Sequence, residues 1–441
     1  MRRLPILLLL LLLALPGITP AQTAHGVFAL VGFSNPELVY LDLTGEYHEF
    51  GPVAPTATAL RIHQDNLYIV NGDDWGTQTG GGLWIAELTD LADYVNFGTP
   101  FDWTVVDLPD GTNPYDLAGY EQYVYVTLQT GNGVIKLDSE DSYAQVASAD
   151  GIGMPQGIAV SGTIVCVAES NLGNGQNAYF MDLDLNSPYA IPVGTNPQQI
   201  TVDASGNFHI ICTGNYGDIT GEAWKIDPTW NEPHTTSLAL GGTPSTLTIM
   251  SDGEGNEKVV VGDEYAANPP YLYGYDPDEM TLDETTPNYR SGGWSLAGGN
   301  SGVYIGSAIS NSVYFLGYDW SGYESLHTFD AAVASLVYFD MPLLTVDEPY
   351  AVVPATFTLS HAWPNPFNAS TSIALTLDRP QHAMVSVYDI LGRQAATILN
   401  QSLIAGTHRL QIEGHSLASG RYLVVARADN RTVSQPITLV R

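Results

Sequence analysis

The chain has 441 residues, 44% of them hydrophobic, with 44 Gly, 27 Pro, 25 Tyr and two Cys; it is long enough for two or more packed domains and too apolar for global disorder. Its formal net charge is −33, from 14 Lys and Arg against 47 Asp and Glu. That balance excludes nucleic acid and an anionic membrane surface, because phosphates need a basic footprint, and leaves cations, neutral glycans and basic proteins as partners.

The N-terminus carries Arg2 and Arg3, then an apolar run from Leu4 to Leu15, then small residues at Thr19-Pro20-Ala21. This is the layout of a secretory signal peptide cleaved after Ala21, and the run is short for a membrane span. No later stretch is long and apolar enough to cross a bilayer as a helix, so no transmembrane segment is expected in the mature chain.

From Gln22 to Pro349 there are 43 acidic residues against 5 basic ones (Arg61, Lys136, Lys225, Lys258 and Arg290). From Tyr350 to Arg441 there are 7 arginines against 4 acids. The shift predicts two folding units joined by the Pro-punctuated segment 341–355: a first domain over 22–340 and a second over 356–441.

The first domain repeats. Units starting at Thr112, Met154, Thr195 and Thr243 each place a proline before an apolar strand: Pro114, Pro155, Pro197 and Pro244. Turn-rich β segments follow, and the run ends near an Asp. A period in the forties with four short strands per unit is the pattern of propeller blades. Five clear units and a weaker sixth over 293–330 leave two incomplete ends. The strands VFALVGF and LVYLDL lack an inner strand, and AAVASLVYFD at 331–340 lacks followers. Together they predict a closing blade, which ties the termini and removes the exposed sheet edge. The expected fold is all-β: a seven-bladed β-propeller, six or eight blades also fitting the pattern, followed by a C-terminal immunoglobulin-like β-sandwich. The repeat units resemble YVTN-type and lactonase-like propeller repeats over about 300 residues, which implies the fold and little about activity.

Oxygen-bearing side chains recur where each blade's second strand meets its third: Asn35; Asn71, Asp73 and Asp74; Asn132; Glu169 and Asn171; Asn215 and Asp218; Asp263 and Glu264; Asn311. Amides and carboxylates converging on one face suit calcium or sugar hydroxyls. The same residues also populate such turns for backbone reasons alone. Binding of a glycan, peptide or envelope protein through this face is the leading expectation. A lactonase-like or other hydrolase or lyase using channel carboxylates, with or without a divalent metal, is the alternative. The ten histidines show no paired metal spacing, and no G-x-S-x-G elbow occurs. His209 lies in a strand and reads as packed. Cys166 and Cys212 fall in strand-like runs and read either as buried thiols or as a disulfide between neighbouring strands.

The last 86 residues alternate as short sandwich strands. They contain a PNPFN box (Pro364, Asn365, Pro366, Phe367, Asn368), VYDILGR with Gly392, AGTHRL, LASGRYLV with Gly420, and a terminal ITLVR. In this order the motifs resemble the C-terminal sorting domain of type IX secretion cargo. That resemblance implies an immunoglobulin-like domain read by an outer-membrane secretion translocon, and a secreted or cell-surface destination. A flagellar-hook-type module acting as a passive spacer carries a similar box and is the other reading of the tail.

Overall fold

The structure, a computed structural model, describes residues 23–441 except Trp75, 229–233, 265, 267–270, 288–292, 343–356, 361, 363–364, 378–380, 390–392, 404–405, 416, 429–430 and 441. The signal peptide, most of the expected linker, and Pro364 and Gly392 of the sorting motifs lie outside the described residues. The described residues fall into two compact units, one within Thr23–Leu343 and one within Leu344–Arg441.

The first unit consists of seven antiparallel four-stranded sheets. Blades 1 to 6 are built from consecutive strands over 57–107, 114–150, 155–192, 197–239, 246–282 and 295–328. Blade 7 closes the ring: its strand order is Val333–Pro342, Thr23–Val31, Glu37–Asp42, Tyr47–Pro52. Phe28 pairs with Val337 on one side and Tyr40 on the other, so the two ends of the domain complete one sheet. The first strands lie side by side around the axis, with that of blade 7 beside that of blade 1. This is the seven-bladed propeller expected from the repeat.

Sequence alternation explains the layering. In each blade the second strand is buried almost throughout, as in Phe208–Cys212, because its faces meet the two neighbouring blades. Cys166, Phe180, Phe208, Ile210 and Cys212 pack together between blades 3 and 4. Both cysteines are free and buried, and burial pushes both thiols well above their ordinary range. The first strands approach so closely that a Cβ on Gly298 would run into the backbone of Ile249 on the neighbouring blade.

One element departs from the repeat. Between the third and fourth strands of blade 1 the chain forms a helix, α1 (Leu88–Phe97), ended by Gly98 at φ +68°. Leu88, Leu91 and Ala92 bury against Phe28, Leu60 and Ile69. The helix thus covers an apolar flank between blades 7 and 1, and it accounts for the extra length of that unit.

The second unit is a two-sheet sandwich. A three-stranded sheet (Thr358–Leu359, Ser370–Leu377, Gly406–Glu413) faces a four-stranded one (Gln394–Leu403, Gln381–Asp389, Gly420–Ala428, Arg431–Leu439), over a core including Leu375, Val385, Val387, Val424 and Ile437. The PNPFN box binds the terminal strand directly. Asn365 Oδ1 accepts from the Thr438 N–H at 2.8 Å, and its Nδ2 donates to the Pro436 carbonyl at 3.0 Å. The Phe367 N–H donates to the Thr438 carbonyl, the Val440 N–H to the Phe367 carbonyl, and the Phe367 ring is buried. In VYDILGR the Asp389 carboxylate receives the Arg393 backbone N–H at 3.0 Å and its Nε at 2.8 Å. Gly420 opens the strand that pairs with the terminal one.

Candidate functional site: loop face and axial channel of the propeller

Each first strand begins at one end of the barrel-like ring, so the loops joining second to third strands all gather at that same end. The residues at the ends of the second strands sort into two layers there.

The lower layer is a ring of buried polar groups that join loops. Asn71 Oδ1 accepts from the Thr56 N–H at 2.9 Å while its Nδ2 donates to the Gly80 carbonyl. Asp73 accepts the Gly81 N–H at 3.1 Å and, reaching blade 2, the Asn113 N–H at 2.7 Å. In return, the Oδ1 of Asn113 accepts from the Asp73 N–H, and its Nδ2 donates to the Gln129 side chain. Ser170 donates to Asn196 at the entry to blade 4, and Thr213 to the Pro244 carbonyl at the entry to blade 5. Asp263 accepts the Thr243 N–H at 2.6 Å, and burial raises its carboxyl. Glu264 crosses to blade 6, accepting from the Ser307 hydroxyl and from the N–H groups of Ala308 (2.8 Å) and Ile309 (3.4 Å). Asn71, Asp73, Asp263 and Glu264 are all buried. A buried carboxylate with every acceptor satisfied by N–H and O–H donors is a structural clasp, and removing it orphans those donors.

The upper layer is exposed, apart from the half-buried Glu169. Asp74 folds back on the N–H groups of Gly76 and Thr77, which hold its carboxyl low. Asn215 makes the same local turn with Gly217 and Ile219 and donates to Asp218. Asn132 accepts the Met154 N–H on the way into blade 3. Glu169 accepts from Asn177, and Asn171 is exposed at φ +44°. Glu169, Asn215 and Asp263 therefore sit on blades 3, 4 and 5 in separate local networks. No group of three or more His, Cys, Asp or Glu placed to hold a metal ion occurs among the described residues.

Sequence reasoning missed what these loops expose. Phe33 is 51% exposed, Leu172 78%, Tyr216 68%, Ile219 44% and Ile309 54%. All five lie in second-to-third-strand loops, on blades 7, 3, 4 and 6. Leu172 and Tyr216 hold φ of +55° and +58°, a conformation that disfavours residues bearing a Cβ by about 1 kcal/mol. The exposed apolar side chains elsewhere on the propeller lie on outermost strands (Tyr47, Val105, Val146, Tyr189, Leu282) or at the end of α1 (Phe97). The missed signal was an apolar residue inside an otherwise polar loop, as in Tyr216 within Gly-Asn-Tyr-Gly-Asp.

Inside the ring runs an axial cavity of about 400 Å³, lined by first-strand residues of blades 1, 4, 5, 6 and 7. Arg61 is the one cation that lines it among the described residues. Its guanidinium pairs at 2.7 Å with the buried Asp116 carboxylate of blade 2. Burial raises the Asp116 carboxyl, against the pull of Arg61 and of the Leu117 N–H. His209 is fully buried between Asp203 and the Tyr275 hydroxyl, 3.1 Å from each, joining blades 4 and 5. It is packed, as its strand position suggested.

Comparison with known proteins agrees with this division. Residues 361–439 match the model of the secretion system C-terminal sorting domain. The tail is thus a type IX sorting domain, and the protein is delivered to the cell surface or secreted. No curated protein matches the chain. Among solved structures, a candidate 6-phosphogluconolactonase from Bacteroides fragilis is similar, at 10% identity and TM-score 0.52, over 73% of this chain and 99% of that one. A candidate 6-phosphogluconolactonase from Bacteroides uniformis (11%, TM-score 0.49, 72% and 100%) and apo AztD from Citrobacter koseri (12%, TM-score 0.47, 72% and 98%) also match. At such identity the first of these shows a shared propeller fold and nothing of activity.

Proposed function

We propose that the exported propeller is a binding protein that docks a basic, apolar polypeptide segment on its second-to-third-strand loop face. The observation that carries this reading is the set of exposed apolar tips at Phe33, Leu172, Tyr216, Ile219 and Ile309. An exposed Leu or Tyr in left-handed backbone buries little apolar surface on folding, whereas burial in an interface returns roughly 1.5–3 kcal/mol per large side chain. Charge selects the partner. Residues 22–349 carry 43 acids against 5 bases; Asp218 lies exposed in the same loop as Tyr216 and Ile219, and Asp74 in the corresponding loop of blade 1. Such a field steers and retains cationic ligands and repels acidic ones.

The reading is non-catalytic because the carboxylates that would act in the alternative hydrolase are engaged: Asp73, Asp263 and Glu264 in clasps, Asp116 with Arg61. The test uses the full mature chain and synthetic peptides of equal hydropathy, either Arg/Leu/Phe-rich or Glu/Leu/Phe-rich. The basic series should be retained, more weakly as salt rises. A Phe33→Ser, Tyr216→Ser, Ile309→Ser variant should lose at least about tenfold in affinity. Equal retention of both series, or full retention by the variant, would sink the proposal.

A further inference from the structure

The axial cavity is chemically distinct from the loop face above it. Five first strands send hydroxyl, amide and guanidinium groups to its wall, and several of these groups lack partners. The hydroxyls of Thr201, Thr246, Ser295 and Ser335 make no hydrogen bond among the described residues. Thr246 and Ser295 are only 3% and 7% exposed, and the Ser295 hydroxyl is buried with nothing to bond. Buried polar groups in folded proteins are satisfied unless a ligand or water completes them. Gln199 uses its Oε1 to accept the Leu247 N–H at 3.2 Å, and its amide nitrogen has no partner among the described residues. Arg61 donates to Asp116 and to the Leu60 carbonyl, and a guanidinium has five N–H donors, so donors remain for the cavity. Trp294 forms one wall, with Phe33 packed edge-on against it at 5.4 Å between ring centres.

From this arrangement we infer that the axial cavity is a binding site for a small uncharged polyhydroxy molecule, of the size of a hexose or the end of an oligosaccharide. The cavity, about 400 Å³, falls in the usual range of roughly 300–1,000 Å³ for small-molecule sites. Hydroxyls that both donate and accept, an amide NH2 and a guanidinium match vicinal diols. An indole wall matches the C–H face of a pyranose. Charge disfavours anions: Asp116 neutralises Arg61, no second cation lines the cavity among the described residues, and the surrounding domain is strongly acidic. A cationic ligand would meet Arg61 itself. The site is independent of the loop-face reading, since its unpartnered groups lie on first strands.

Calorimetric titration of the full mature chain with D-glucose, D-galactose and D-mannose tests the inference, with D-glucuronate and D-galacturonate as charged counterparts. At least one neutral hexose should saturate the protein, and the uronates should bind more weakly. A Thr201→Val, Ser335→Ala variant, altered at half-buried positions and keeping the wild-type melting temperature, should lose about fivefold in affinity. Ile309→Ser should lose none, which separates this site from the loop face. Absence of saturable binding by all three neutral hexoses overturns the inference. So does equal or tighter binding of the uronates, or unchanged affinity in the double variant.

Discussion

Asp263 and Glu264 on blade 5, and Asp74 and Asp218 on blades 1 and 4, are the same residue types in corresponding loops, yet they do opposite work. The first pair is 1% and 2% exposed and joins backbone segments; the second faces solvent and holds only its own turn or its loop neighbour. The difference teaches that acidity at the loop face has two sources: a buried layer that fastens loops and an exposed layer that would set the field felt by the proposed partner. The apolar tips are exposed on the same face.

Removing a clasp should have the largest effect. Glu264→Ala orphans the Ser307 hydroxyl and the Ala308 N–H in a buried setting, so unfolding free energy in urea should fall by about 3 kcal/mol. Asp73→Ala, which frees the Asn113 and Gly81 N–H groups, should lower it by about 2 kcal/mol. If either variant were as stable as wild type, the clasp layer would be no different from the free one.

Acid sharpens the same contrast within blade 4. Burial alone would raise the Asp203 carboxyl, but hydrogen bonds from His209 and Asn207 overcome it and hold it down at about 2. A carboxyl depressed in the folded state stabilises fully above its unfolded value near 3.9, and that stability is lost as pH falls from about 4 towards about 2. Urea midpoints followed across this range should decline more steeply in the wild type than in Asp203→Asn.

The exposed layer should respond in the opposite sense. Phe33→Ser, Tyr216→Ser, Ile309→Ser should change stability by less than about 0.5 kcal/mol per site while weakening peptide retention. Asp74→Ala should leave the melting temperature unmoved and slow association of basic peptides at low salt only.

The ring of blades was legible because it is periodic: prolines at 114, 155, 197 and 244 mark strand starts, and the incomplete ends could only close on each other. The tail was legible because each motif is a short contiguous run, and the PNPFN box meets the terminal strand, Arg431–Leu439, through the Asn365 side chain. Helix α1 was not, because it is an insertion between the third and fourth strands of one blade and recurs, among the described residues, in no other unit of the repeat. The site was half legible. Asn71, Asp73, Asp263 and Glu264 were found as polar residues at strand ends, but sequence carries no burial, so clasp and ligand group looked alike. Asn113 and Asn196 left a usable mark, the repeated Thr-Asn-Pro before blades 2 and 4, with φ of +46° and +59°. Arg61 and the channel hydroxyls left none, since five separate strands bring them together.

The most direct test measures urea stability and basic-peptide retention side by side on two variants of the full mature chain, Asp73→Ala, whose loop carries none of the apolar tips, and Phe33→Ser/Tyr216→Ser/Ile309→Ser. The account predicts a crossed result: Asp73→Ala loses stability yet binds normally while folded, and the triple variant keeps its stability and loses binding. A stable Asp73→Ala protein that no longer binds, or a triple variant that binds as wild type, would contradict it.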